Sequence, residues 1–212
     1  MIRVLIADDH PMVRKGLAQL VAEADDMLVA AEADGYAAIV RALREHEIDV
    51  MLLDVEMPGK NGIEVLKAVR RTHPRVYILM FSMYPEEQYA VRALRAGAAG
   101  YLTKRTSPQT VLEAIRNASR GRKYVTPEVA LALAERISDD ADDTRPLHEQ
   151  LSDREFQTLR LIASGRKLGE IAAELALSPK TVSVYRARLL EKMSMKTNAE
   201  LTRYAVEKRL LE

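Results

Sequence analysis

The chain has no cysteine, no tryptophan and only two phenylalanines in 212 residues. Without thiols there are no disulfides and no thiolate metal sites. No apolar run approaches the ~20 residues that cross a bilayer, which argues against a membrane protein. The N-terminus offers one arginine, a very short apolar run and then two acids, so it does not read as a signal peptide, and residence in the cytoplasm is expected. A large charge of one sign is also missing: the formal net charge is +1, with 48% hydrophobic and 30% charged residues. That balance is ordinary for a soluble globular protein, and the length suits two domains of about 100 residues each.

The balanced total hides an uneven distribution. Residues 147 to 212 carry 12 Lys and Arg against 9 Asp and Glu, which leaves the rest of the chain acidic. Between Ser178 and Lys196 there are five basic residues and one acid, a stripe of the kind that meets phosphate, although a solvated helix face has the same look.

Short apolar runs at 3 to 7, 27 to 33, 49 to 54, 76 to 82 and 98 to 103 alternate with segments of helical period, such as Val13, Leu17, Leu20 and Val21, or Ile63, Leu66 and Val69. Five strand-helix repeats imply a parallel sheet covered on both faces, so residues 1 to 124 are read as a doubly wound α/β domain. A helix over 126 to 138 follows, capped by Thr126 with Pro127 at its first position and Val129, Leu133 and Ile137 on one face. Residues 139 to 150 carry four aspartates within five residues and then a proline, and read as a flexible tether, so 125 to 150 is a linker region. From 151 to 212 only helical periods appear. Ser152 with Glu155 and Thr197 with Glu200 predict two capping boxes, Gly165 ends the first helix, and Ser178 and Pro179 open another. The fold class is α/β, a five-stranded parallel sheet in the flavodoxin-like order, plus a small all-α module.

In an open parallel sheet chemistry collects beyond the carboxyl ends of the strands, where strand order reverses. Asp8 and Asp9 follow the first apolar run, Asp54 ends the third, Ser82 ends the fourth and Lys104 follows the fifth. With strands one and three as neighbours, three carboxylates meet beside a hydroxyl and an ammonium. Two carboxylates about 5 Å apart repel by roughly 3 kcal/mol at an effective dielectric near 20, so a cation is expected among them. Oxygen ligands without cysteine point to Mg²⁺, and Asp54 is the carboxylate placed to accept a phosphoryl group whose charge Mg²⁺ and Lys104 offset. His10 reads as a surface or capping residue.

The helix expected from Pro179 to Met193 turns Val182, Leu189 and Met193 inward with Tyr185 beside them. Its outward stripe holds Lys180, Ser183, Val184, Ala187, Arg188 and Glu191. That face is small, partly apolar and cationic. It suits a DNA major groove, with Val184 or Ala187 against a thymine methyl, Lys180, Ser183 or Arg188 on base edges, and Tyr185, Arg186 and Lys192 within reach of phosphates. The preceding short helix and turn complete a helix-turn-helix.

The blocks "IADDH", "LLDVEMPGKNGIEVL", "LMFS" and "GYLTK" resemble the receiver domain of two-component response regulators. "LSDREFQTLRLIASG", "EIAAELALSPKTVSVYRARLLEKM" and "TNAELTRYAV" look like the LuxR-type output domain of the NarL/FixJ subfamily. The resemblance implies that Asp54 takes a phosphoryl group from a sensor histidine kinase. It further implies that Asp8, Asp9, Asp54 and the Glu56 backbone carbonyl hold Mg²⁺, that Lys104 pairs with the phosphate, and that Ser82 and Tyr101 form the switch. Double-stranded DNA is then the partner of the output domain, and a homodimer forms on activation through the last helix, where Leu201, Tyr204 and Ala205 read equally as its seam or as packing within their own domain. Departures from the family pattern are Met83 and Arg105 beside the switch, and Lys167, Leu168 and Gly169 where relatives carry a capping Ser or Thr. Three rivals remain: an aspartyl-phosphate phosphatase, whose D-x-D pattern after strand one is not this chain's D-D; a ligand-sensing LuxR regulator, whose sensor is richer in aromatics; and a scaffold that binds no DNA. The expectation is a phosphorylation-switched transcription factor, not an enzyme.

Overall fold

Each apolar run of the N-terminal part becomes a strand in the computed structural model, which describes residues 1–57, 59–138, 146–208 and 210–211. The strands are β1 (Ile2–Ala7), β2 (Met27–Ala33), β3 (Val50–Leu53), β4 (Tyr77–Ser82) and β5 (Gly100–Thr103). All pairings are parallel and the order is β2-β1-β3-β4-β5, the flavodoxin-like order. β3 is buried at all four positions, as a strand covered on both faces must be. Its ends, and those of β4 and β5, fall one or two residues inside the apolar runs, the usual uncertainty of element boundaries.

Alternation of period two splits the strand residues between the two faces. Val4, Ile6, Val50, Leu52 and Leu79 pack with Leu17 and Val21 of α1 (Pro11–Ala22) and with Val111, Ala114, Ile115 and Ala118 of α5 (Pro108–Ser119). Right-handed crossovers carry α2 (Tyr36–Glu45), α3 (Gly62–Thr72) and α4 (Glu86–Arg95) over the opposite face, where Leu5, Met51 and Ile78 are fully buried. Pro11 and Pro108 open their helices where a missing N–H costs nothing, and Ser107 Oγ accepts the Thr110 N–H at 3.2 Å.

The free edge of β5 is closed by one residue, since the Tyr124 N–H donates to Ala99 O at 2.8 Å and Tyr124 bridges Gly100. Thr126 Oγ1 then accepts the Val129 N–H at 3.4 Å and starts α6 (Pro127–Ser138), the cap the sequence predicts. The expected tether divides. Asp139 to Arg145 lie outside the described residues, whereas Leu147–Gln150 is a turn of 3-10 helix rather than open chain.

The chain separates into two compact units, Met1–Ala134 and Glu135–Glu212. In the second, α7 (Asp153–Ala163) packs with α8 (Leu168–Glu174), α9 (Pro179–Lys192) and α10 (Asn198–Glu207). Ser152 and Glu155 form the full capping box, and Gly165 at φ +82° ends α7. The second box is only half made. Thr197 Oγ1 accepts the Glu200 N–H at 3.3 Å, but the Glu200 carboxylate turns to the Lys196 N–H at 2.7 Å. At α8, Lys167 has no acceptor to offer the helix, and Glu170 instead takes the Lys167 N–H at 2.9 Å, so the cap has moved from the first residue to the third.

The expected dimer seam is corrected. Leu201 and Ala205 are fully buried within their own unit, where α10 packs on α7, and Tyr204 Oη accepts from the His148 N–H at 3.3 Å. Residues already inside a core cannot also face a second copy. Among the described residues no helix is long and apolar enough to cross a membrane.

A Cβ on Gly100 would lie 2.7 Å from Tyr124 O and 2.9 Å from Leu79 Cδ2. Gly100→Ala therefore overpacks the closed edge, and urea unfolding of the full chain should show its first unit destabilised by about 1–3 kcal/mol. An unchanged midpoint would mean that the edge opens without strain.

Candidate functional site

The carboxyl ends of β1 and β3 stand side by side because those strands pair directly, Ala7 opposite Leu53. Whatever follows each strand therefore converges. The Asp54 N–H donates to Ala7 O at 2.9 Å and the Asp8 N–H to Ala33 O at 3.1 Å, which fixes both backbones before the chain turns away. Asp8, Asp9, His10 and Asp54 each bring a ligand atom to within 4.8 Å of all the others. Asp8 and Asp54 are buried, at 1% and 3% exposure, and Asp9 is half-buried.

Lys104, just beyond β5, drives its ammonium between the two buried carboxylates. Nζ lies 2.6 Å from Asp8 Oδ2 and 2.8 Å from Asp54 Oδ2, while its own N–H donates to Ser82 O at 2.7 Å. One cation faces three carboxylates, so the cluster keeps an excess of negative charge. Burial pushes the Asp54 carboxyl up to about 6, with the charge of Asp8 adding to the rise, although Lys104 pulls the other way. Burial alone would lower the Lys104 ammonium, but Asp54 and Asp8 reverse this and hold it above its ordinary value. Asp8 Oδ2 is taken by the Lys104 ammonium, whereas Asp9 Oδ1 is a buried oxygen whose close contact is the His10 ring at 2.8 Å, without hydrogen-bond alignment. A donor set of carboxylate oxygens with buried lone pairs left over fits a hard divalent cation.

Residues that the sequence reading did not single out hold this geometry. Arg14 donates to Asp8 O at 2.7 Å. Asn61 caps α3, its Oδ1 accepting the Ile63 N–H at 2.8 Å while Glu64 takes the Asn61 N–H at 3.2 Å. The spacing Asn61 to Glu64 is a capping-box signal legible in the sequence. A Cβ on Gly62 would stand 2.0 Å from Asp54 O, so the loop can fold back onto the Asp54 backbone only because Gly62 has no side chain.

Ser82 is buried at the end of β4 and its Oγ accepts the Tyr84 N–H at 3.4 Å. Tyr101 is 3% exposed, its hydroxyl donating to Tyr84 O at 2.9 Å. Tyr84 in turn stacks on Tyr89 with ring centroids 5.1 Å apart and donates its own hydroxyl to Glu56 Oε1. The Glu56 N–H reaches Asp54 Oδ1 at 3.3 Å. Tyr84 thus joins Tyr101 to the loop that carries Asp54, a link that no spacing marks. Met83 is exposed at the rim, as is Arg105.

In the second unit α9 buries Val182 and Leu189 and exposes Lys180, Ser183, Val184, Ala187, Arg188 and Glu191, the division its period predicts. Ser178 Oγ caps it by accepting the Thr181 N–H at 3.0 Å. Ser183 Oγ bonds back to Pro179 O at 2.9 Å. Tyr185 and Arg186 are half-buried at the flank, and Arg186 donates to Asn198 Oδ1 at 2.7 Å. Lys192 sits 2.6 Å from Glu155 Oε2. Burial raises the Glu155 carboxyl, but Lys192 and Ser152 reverse it and leave it below the usual carboxylate range.

Residues 4–116 match the response regulator receiver domain, and residues 149–205 match the bacterial regulatory proteins of the luxR family. The chain is 37% identical over 206 residues to the response regulator GacA of Pseudomonas viridiflava, spanning 97% of this chain and 96% of that one. It is 36% identical over 207 residues to the response regulator UvrY of Escherichia coli K12, spanning 97% and 94%. Among solved structures it is similar to RcsB of Salmonella enterica serovar Typhimurium bound to the promoter rprA in the presence of the phosphomimetic BeF3-, with a TM-score of 0.65, 26% identity and coverage of 96% and 97%. A second RcsB structure, described by its conformational dynamism for DNA interaction, gives a TM-score of 0.70 at 27% identity.

The raised Asp54 carboxyl has a consequence for stability in the metal-free protein. A carboxyl that ionises near 6 when folded and near 3.8 when unfolded favours the folded state at low pH. That contribution is lost as pH rises through about 6. Asp54→Asn removes the loss, so in chelator its stability relative to wild type should grow by about 1–3 kcal/mol between pH 4 and pH 7 and then level off. Urea midpoints across that range check this, and a difference independent of pH would contradict it.

Proposed function

The chain belongs to the two-component response regulators that join a receiver domain to a LuxR-type DNA-binding domain, and from that premise we propose that phosphorylation of Asp54 switches its grip on DNA. It is a regulator and not an enzyme. The observation that carries the proposal is the Lys104 ammonium lodged between the two buried carboxylates of Asp8 and Asp54.

Asp54 ionises near 6, so at neutral pH it offers a carboxylate oxygen as nucleophile. That oxygen bonds to phosphorus as the bond from phosphorus to the imidazole nitrogen of a sensor histidine kinase breaks, and the ring, already protonated on its other nitrogen, takes the bonding pair and leaves as neutral imidazole. Asp8, Asp9, Asp54 and the Glu56 backbone carbonyl would hold Mg²⁺, which supplies positive charge against the incoming phosphoryl oxygens. Lys104 already lies on Asp54 and keeps its charge, so it can transfer its contact from a carboxylate to a phosphoryl oxygen. Ser82 turns toward that oxygen. The Tyr84 backbone, which holds both the Ser82 hydroxyl and the Tyr101 hydroxyl, passes the movement to Tyr101.

On the output side α9 enters the major groove. Lys180, Ser183, Val184, Ala187 and Arg188 face base edges, and Tyr185 and Arg186 flank them toward phosphates. Lys192 joins the phosphate contacts while sharing its ammonium with Glu155. Two copies pair on activation through surfaces other than Leu201 and Ala205, and the protein works in the cytoplasm.

A mobility shift on genomic fragments, with and without beryllofluoride, tests the switch. The wild type should shift more strongly with the phosphate mimic and Asp54→Asn should not respond. Equal responses from the two proteins would overturn the assignment of Asp54. Phosphate contacts have their own signature: Arg186→Ala should flatten the dependence of log affinity on log salt by about one unit, and an unchanged slope would take Arg186 off the backbone.

A further inference from the structure

Of the four residues whose ligand atoms converge, His10 has no task in the reading above. It sits at the N-cap of α1, yet its side chain makes no capping hydrogen bond. Its side chain is 64% exposed, so packing does not aim it either. Even so, Nδ1 points into the cluster, 2.8 Å from Asp9 Oδ1 and 3.2 Å from Asp8 Oδ1.

One imidazole nitrogen carries at most one proton and can donate to one of those oxygens, not both. The contact with Asp8 Oδ1 has hydrogen-bond geometry, whereas Asp9 Oδ1, the nearer atom, accepts none. The spacing is also that of a coordination shell. Donor atoms at right angles around a cation at ~2.1 Å stand ~3.0 Å apart, and the two nitrogen-to-oxygen distances bracket that value.

We infer that His10 Nδ1 is a further protein ligand of the divalent site, giving a mixed nitrogen and oxygen site that selects late first-row ions such as Ni²⁺ over Mg²⁺. This rests on the reading that Asp8, Asp9 and Asp54 hold a divalent cation. Mg²⁺ prefers oxygen, keeps its waters and gains little from an imidazole, whereas Ni²⁺ and Zn²⁺ gain much. The contribution of His10 is therefore specific to the ion. Late transition ions compete with Mg²⁺ for the same carboxylates, and the site becomes sensitive to which divalent ion is present.

The test uses the full-length protein freed of metal. Calorimetric titration with MgCl₂ and with NiCl₂ is compared for wild type, His10→Ala, His10→Gln and, as a control at a distant histidine, His73→Ala. Ni²⁺ should bind wild type at least ~100-fold more tightly than Mg²⁺, and both His10 variants should lose at least ~10-fold in Ni²⁺ affinity while Mg²⁺ moves less than ~3-fold. Pulsed electron paramagnetic resonance of one equivalent of Mn²⁺ should show a directly bound nitrogen in wild type and in His73→Ala, and none in the His10 variants. A nitrogen signal missing from wild type, or surviving in His10→Ala and His10→Gln, overturns the inference while Mg²⁺ binding stands. Loss of Mg²⁺ binding in wild type overturns the acidic site itself.

Discussion

Three carboxylates are brought together by the pairing of β1 with β3, one ammonium reaches in among them from beyond β5, and the rest of the first unit is arranged around that crowding of charge. Parallel pairing puts Asp8, Asp9 and Asp54 at the same end of adjacent strands, and burial removes the water that would otherwise weaken their repulsion. Lys104 offsets only part of it. Burial above all, with the charge of Asp8 adding to it, leaves the Asp54 carboxyl near 6, and Asp9 Oδ1 is left as a buried oxygen that accepts no hydrogen bond. A site left in that condition gains stability from any positive charge delivered to it, and that is what makes it responsive.

The supporting residues act on position rather than on charge. Gly62 lets the chain after Asp54 fold back to touch the Asp54 carbonyl, and the Asn61 and Glu64 cap starts α3 immediately beyond, so the loop has little room to relax. Tyr84 occupies the opposite rim and is bonded to both sides of the cleft, to Glu56 by its hydroxyl and to Tyr101 by its carbonyl. The Tyr84 backbone is held to both hydroxyls, its N–H donating to Ser82 Oγ and its carbonyl accepting from Tyr101. Packed side chains with two discrete arrangements carry a change better than a soft loop does.

Much of this was legible in the sequence because its period is strong. Apolar runs at strand length, separated by segments of helical period, leave few alternatives to a doubly wound sheet, and the switch-point rule then gathers Asp8, Asp9, Asp54 and Lys104 with no structure in hand. The α9 face was legible for the same reason, since Val182 and Leu189 fix which side is inward. What escaped were contacts made by atoms rather than by pattern. Glu200 accepts from Lys196 instead of closing a box with Thr197, and Leu201 and Ala205 read equally well as a seam or as a core until α7 is seen to cover them. The direction of the His10 ring is of the same kind: a helix start predicts its backbone and says nothing of its Nδ1.

The second unit applies the same electrostatic logic in reverse. Glu155 is nearly buried and serves two masters, closing the α7 capping box through the Ser152 N–H at 2.8 Å and holding Lys192 at 2.6 Å. The pair ties the last turn of α9 to the first turn of α7, so the orientation of α9 depends on a carboxylate whose ionised form its partners favour. A phosphate drawn to Lys192 competes with Glu155 for the same ammonium. An anion on Lys192 would thus act on α7 through Glu155, whereas Lys180 lies exposed at the opposite end of α9, where Ser178 caps the helix.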